Sequence, residues 1–201
     1  AHPAPSNASL RQSLLRWSGT SAATAGSTYD SGGQGHPRIT ISDAGGLGGF
    51  TQLMRFSVTS TVATQRLMMG LAQYGGAWGG AGVDPYSRAL IIVLGYDASV
   101  DGTYQIIHCT NYGATTKVNT GIAINNTDAV FDFVLSNAPG SGDVSWSLKD
   151  INSGASASGT LTTNLPPAGA YLHPRIHINN GGTAAAVSVE CFGVWASNFL
   201  G

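Results

Sequence analysis

Between Ala89 and Leu135 the chain alternates short apolar runs with clusters of Gly, Asn and Asp. Ala89-Leu90-Ile91-Ile92-Val93-Leu94 is followed by the turn-rich Gly95 to Gly102, then by Tyr104-Gln105-Ile106-Ile107-His108-Cys109. Thr115 to Val118 and Val130 to Leu135 come next, each after a polar break. β-Branched and aromatic runs of this length, bounded by turn formers, predict consecutive antiparallel strands. Ala89 to Leu94 is apolar at both parities, so both of its faces need a cover, from a second sheet or from a neighbouring subunit. The pattern predicts an all-β chain folded as an antiparallel β-sandwich.

The flanking segments carry the same period. Met54, Phe56 and Val58 alternate with Arg55, Ser57 and Thr59, and Leu67, Met69 and Leu71 repeat the pattern. Val144, Trp146 and Leu148 alternate with Ser145, Ser147 and Lys149, and the turn Asp150 to Gly154 returns the chain through Ala155 to Leu161 as a hairpin. Asn179-Asn180-Gly181-Gly182 is a type I′ turn signal between Leu172–Ile178 and Thr183–Trp195. With Asn180-Gly181 as the loop, Ile176 faces Ala185, Pro174 faces Val187 and Leu172 faces Val189, while His173 meets Ser188 and Tyr171 meets Glu190. Apolar meets apolar and polar meets polar, as the pleat requires of a hairpin.

The N-terminal part is less regular. Ala1 to Asn7 is a Pro/Ser/Asn linker. Ser9 to Trp17 has helical spacing, with Leu10, Leu14 and Trp17 on one stripe, Asn7 or Ser9 as N-cap and Gly19 beyond the end. Thr20 to Gly35 reads as a Gly/Ser/Thr loop, and Gly45 to Gly49 as a flexible connection without the helix and basic residue of a phosphate cradle. His36 to Ile41 alternates, and Pro37 marks an edge or a strand start. The order His-Pro-Arg-Ile recurs at His173 to Ile176, through coincidence or through two equivalent edge strands.

Composition narrows the partners. The 201 residues suit one domain, and only 9% are charged, 10 acidic against 9 basic. Nucleic acid is excluded as the main partner, since phosphate binding needs a concentrated basic field. No apolar run reaches the ~20 residues of a membrane span, so membrane insertion is not expected. Low charge fits either self-association or an ordinary Ser/Thr/Asn surface. Cys109 and Cys191 both fall in strand pattern and fit two buried thiols better than a disulfide. The chain starts Ala1-His2-Pro3, which reads as a processed or excised piece of something longer.

No residues point to catalysis, a cofactor or a metal. His173 and His177 share a strand face but lie roughly 13 Å apart, too far for one ion, and read as surface polar residues. Asp97 and Asp101 supply too few oxygens for calcium and read as a hairpin turn. Asp128 and Asp132 are the nearest pair to a glycosidase dyad, and they bracket a strand whose outward residues should be polar anyway. What remains is a binding surface on the insertion from Tyr74 to Ser87. It carries Tyr74, Trp78, Asp84 and Tyr86 between glycines, the flat apolar faces and directional polar groups that neutral sugars need. Asn111 and Tyr112 join it if both loops lie at one end of the sandwich. The alternative is that Trp78 plugs its own loop or packs against another subunit.

Arg66-Leu67-Met68-Met69-Gly70-Leu71 before a Gly/aromatic loop, Gly102-Thr103-Tyr104-Gln105-Ile106, Thr116-Lys117-Val118-Asn119-Thr120-Gly121 and the ending Phe192-Gly193-Val194-Trp195 resemble the C-terminal receptor-binding heads of bacteriophage tail fibres and tailspikes. The likeness is one of style over most of residues 30–201. It implies a jelly-roll or lectin-like sandwich at 30–201, preceded at 1–29 by a linker and one short N-terminal helix at the stalk junction. It also implies a homotrimer at the tip of a virion tail fibre, assembled in the host cytoplasm with both cysteines reduced. The partner it implies is bacterial surface polysaccharide or lipopolysaccharide, bound without catalysis. Competing readings are a structural virion protein, such as a capsid decoration or connector, and a polysaccharide hydrolase or esterase.

Overall fold

The computed structural model describes residues 17–20, 28–30, 38–42, 48–58, 62–73, 90–110, 115–124 and 129–198. These contain twelve strands. In chain order they are β1 Trp17–Thr20, β2 Thr28–Asp30, β3 Phe50–Val58, β4 Arg66–Gln73, β5 Ile91–Asp97 and β6 Thr103–Cys109, then β7 Thr116–Ala123, β8 Phe131–Asn137, β9 Val144–Asp150, β10 Ser156–Leu161, β11 Leu172–Asn179 and β12 Ser188–Asn198. They form two six-stranded sheets, ordered β1-β12-β3-β8-β9-β10 and β2-β11-β4-β5-β6-β7, with every pair antiparallel. The all-β sandwich predicted by the alternation is the fold. Among the described residues no helix is long and apolar enough to cross a membrane.

The inward parity of both sheets builds one core. Met54, Phe56 and Val58 of β3 meet Leu67, Met69 and Leu71 of β4 and Ile92, Leu94 and Tyr96 of β5, all fully buried. Four aromatics knit the centre: Phe56 stacks on Phe131 at 5.3 Å, and Tyr104 stands edge-on to Phe131 at 5.1 Å and to Tyr96 at 5.5 Å. Offset and edge-on rings at these separations add about 0.5–1.5 kcal/mol per pair beyond the area they bury.

Within the central apolar run, Ile91 to Leu94 is buried on both faces, as its parity demands, within a single chain. Ile92 and Leu94 enter the core, while Ile91 and Val93 join Met68, Ala72, Ile107 and Cys109 in a second cluster on the outer face of the second sheet. Gly70 and Gly95 lie in this sheet and let its strands come close. A Cβ on Gly95 would land on the Leu67 carbonyl oxygen, and Gly70 has φ 146° with the Ile92 carbonyl against it.

Several expectations are corrected. The turn at Asn180-Gly181 forms, with Gly181 at φ 55°, but the segments on either side of it do not pair as a hairpin. β11 lies in the second sheet between β2 and β4, and β12 in the first between β1 and β3. Gly181 N–H donates to Asn179 Oδ1 (3.0 Å), Asn180 Nδ2 to the Ala185 carbonyl (2.9 Å), and Thr64 Oγ1 to the Asn180 carbonyl (2.7 Å). The first two hold the turn's own shape, and the third ties it to the 62–65 turn while the chain crosses between layers. The parity that would match apolar residues in a hairpin is satisfied instead across the sandwich: Leu172, Ile176 and Ile178 face in from one sheet, Val187 and Val189 from the other side.

β11 is also not an edge strand. Ile39 makes an isolated bridge to Leu172 through reciprocal 2.8 Å hydrogen bonds, and β2 pairs only with residues from His177 to Asn179. Pro174 sits between those contacts, where that side of β11 has no partner strand among the described residues, the position at which a missing N–H is tolerated. His173 and His177, read as surface residues, are buried on the outer face of the second sheet. The helix expected over Ser9–Trp17 lies outside the described residues except at Trp17, which opens β1. The segment read as a loop from Thr20 to Gly35 contains β2. The fourth strand of the central stretch, β8, lies in the opposite sheet from β5, β6 and β7.

Candidate functional site

The second sheet brings five strand ends to one rim. Gln73, the last residue of β4, lies opposite Leu172 at the start of β11, and its N–H donates to the Leu90 carbonyl at 2.9 Å. Ile91, at the start of β5, lies opposite Cys109 at the end of β6, and His108 lies opposite Thr116, the first residue of β7. Strands spaced about 4.8 Å apart make this rim about 19 Å long. The sequence-predicted residues Tyr74, Trp78, Asp84 and Tyr86 belong to 74–89, and Asn111 and Tyr112 to 111–114, both outside the described residues. What the structure does place is the roots of both segments. Gln73 and Leu90 hold the first, Thr110 and Thr115 the second, and all four lie on this rim.

One side chain ties the two roots of the second segment together. Thr110 N–H donates to Asn164 Oδ1 (3.1 Å), and Asn164 Nδ2 donates to Thr116 Oγ1 (2.9 Å) and, at a longer 3.4 Å, to the His108 carbonyl. Asn164 has φ 52°, a left-handed conformation that Asn tolerates better than other residues with a side chain. The neutral His108 ring has Nδ1 at 3.2 Å from the Asn164 carbonyl, which assigns the proton to Nδ1. Burial holds the His108 pKa below the ordinary value, against the opposing pull of the Asn164 and Thr163 carbonyls. At neutral pH the imidazole is therefore an uncharged spacer within the clamp.

The opposite end of the rim carries an aromatic that the pattern misassigned. Tyr171, expected to face Glu190 in a hairpin, stands 56% exposed beside the start of β11, with the Arg38 guanidinium 5.1 Å from its ring centroid. A cation over a phenol ring fixes the ring's attitude while leaving its other face to solvent. Neither Tyr171 nor Asn164 was selected from the sequence. Asn164, before Leu165-Pro166-Pro167, carried an ordinary turn signal, and only the fold shows which loop it clamps.

Other candidate chemistry is absorbed into structure. Asp97 accepts from Arg66 Nε (2.6 Å) and from Ser99, and Asp101 pairs with Lys117 Nζ (2.8 Å) while accepting from Asp97 N–H. The segment is a hairpin turn locked by two ion pairs. Burial pushes the Asp97 carboxyl up, but the Ser99 and Arg66 hydrogen bonds together outweigh it and hold the pKa below the ordinary value. Asp132 is gripped by Arg55 in a bidentate pair with both distances 2.7 Å. Its candidate partner Asp128 lies outside the described residues. Cys109 is buried on the outer face of the second sheet and Cys191 on the inner face of the first, as thiols. Among the described residues no group of three or more His, Cys, Asp or Glu is arranged to hold a metal ion.

No protein-family model matches the chain, and no curated protein matches it in sequence. Solved structures do match in fold. Arcelin-5, a lectin-like defence protein from Phaseolus vulgaris, has a TM-score of 0.61 at 10% identity, over 94% of this chain and 93% of that one. Lectin UEA-II complexed with galactose has a TM-score of 0.57 at 16% identity, over 93% and 87%. The legume lectin-like domain from Entamoeba histolytica has a TM-score of 0.54 at 11% identity, over 88% and 81%. The sandwich is thus of the legume-lectin-like kind.

Proposed function

We propose that this chain is the receptor-binding head domain of a phage tail fibre and that it binds bacterial surface polysaccharide or lipopolysaccharide without catalysis. The observation that carries the reading is the rim of the second sheet. It gathers the exposed Tyr171, the Asn164 clamp and the roots of the segments bearing Tyr74, Trp78, Asp84 and Tyr86 and Asn111 and Tyr112. Sugar rings need an aromatic face and directional polar groups on a rigid base, and strand ends provide that base. The lectin-like fold supports the reading, one of its members having been solved with galactose. Asp132, the nearest candidate for an acid, is held by Arg55, which supports binding over hydrolysis. In this reading the protein is a homotrimer at the tip of a virion tail fibre, assembled in the host cytoplasm, where its thiols stay reduced.

Trp78→Ala and Tyr86→Ala are each expected to lower adsorption to host cells and binding on an array of bacterial polysaccharides by at least about tenfold, with Tm nearly unchanged. Wild-type adsorption together with a large loss of Tm would show these aromatics to be internal packing and defeat the proposal. Light scattering on the same sample should return three chains. Tight binding to purified capsids with no glycan binding would favour the structural virion protein, and released reducing ends would establish a hydrolase.

A further inference from the structure

The first sheet turns a different surface to solvent. Trp195 lies opposite Leu53, Leu53 opposite Val134, and Val134 opposite Ser147, one row across four strands. Their neighbours Met54, Phe133 and Leu148 point into the core, so this row points out. Trp195 is 56% exposed. Beside it runs the bidentate Arg55–Asp132 pair, and on the other side a row of hydroxyls from Thr51 and Ser136. Rows along a strand are about 6.8 Å apart and strands about 4.8 Å, so the patch has the dimensions of a few sugar rings.

From this arrangement we propose a second carbohydrate-binding surface on the outer face of the first sheet: a neutral polysaccharide chain lies across the strands with one ring stacked on the Trp195 indole. An exposed indole offers a large apolar face that suits the C–H side of a pyranose. The Arg55 charge is compensated by Asp132, the hydroxyl row is uncharged, and the one further charge in these rows is the exposed Lys149 at the β9 end, opposite Asp132, so around Trp195 the face complements a neutral glycan. Guanidinium N–H groups and carboxylate lone pairs not used within the pair can meet the ring hydroxyls. A protein partner is the poorer fit. A stable interface needs about 800 Å² per side with an apolar centre, and one indole with two half-buried aliphatics among hydroxyls does not supply that. The surface is on the opposite sheet from the rim, so it stands or falls independently of the proposed rim site.

The test uses the full chain on an array of neutral glucans, galactans and mannans, with wild type, Trp78→Ala, Trp195→Ala and Trp195→Phe compared. The proposal expects at least one neutral polysaccharide to bind wild type and Trp78→Ala alike. Its affinity should fall at least about tenfold in Trp195→Ala and be partly kept in Trp195→Phe, with Tm unchanged in each. If no neutral polysaccharide binds, if Trp195→Ala binds as wild type does, or if that variant changes only the solution mass, the surface is not a glycan platform. Loss in Trp78→Ala with retention in Trp195→Ala would leave the rim as the only sugar site.

Discussion

Asn164 spans the gap between two strand ends with one short side chain, and the geometry makes its role separable from its backbone. Asn164→Ala removes two good hydrogen bonds and a longer third while keeping a residue with a Cβ at φ 52°. The expected cost is about 1–3 kcal/mol in stability, and the Thr110 amide should lose protection from hydrogen exchange. Asn164→Gly accepts the left-handed backbone without strain, so it should recover part of the stability but none of the Thr110 protection. Equal protection in all three proteins would show that the side chain clamps nothing.

His108, in the same clamp, sets a pH dependence whose sign follows from its burial. Its folded pKa is below the ordinary ~6.5, so below that pH the unfolded chain binds more protons than the folded one. The stability that neutral His108 contributes is present above about pH 6.5 and is lost as pH falls through the depressed folded value. Melting curves from about pH 7 to about pH 5 should therefore fall less steeply in His108→Gln than in wild type. Parallel curves would falsify the assignment.

Among the strands, the outer face of the second sheet is the most tightly specified. Gly95 has no room for a methyl group, because the obstacle is the Leu67 backbone oxygen, which no rotamer change can move. Gly95→Ala should lose about 1–3 kcal/mol or more. Gly102→Ala, in the turn that follows, meets nothing within 4 Å and should stay within about 0.5 kcal/mol of wild type. Urea midpoints of the two variants make the comparison, and similar losses would mean that strand approach is not what Gly95 provides. The strands themselves were legible. β3, β4, β5, β6, β8 and β9 fall where alternation placed them, and the β9–β10 hairpin has Leu148 opposite Ala157 and Trp146 opposite Gly159. Short β1 and β2 were not, because three or four residues between glycines and serines carry no period to read.

Taken as one molecule, the chain shows where a local reading stops. The apolar–polar order committed it to antiparallel strands in two layers, because side chains on a strand must alternate and one face must leave water. The same order also required a cover on both sides of Ala89 to Leu94. It did not say which strands share a layer. Up to Cys191 a hairpin and a crossover between sheets bury the same side chains, since the inward parity is identical in both; beyond it a register shift between Cys191 and Gly193, which no alternation announces, turns Trp195 outward. The choice came from partners far along the chain, Thr64 on the Asn180 carbonyl, β4 beside β11 and β3 beside β12. For the same reason Asn164 and Tyr171 could not be picked out from the sequence: they owe their places on the rim to contacts that form only when distant strands meet.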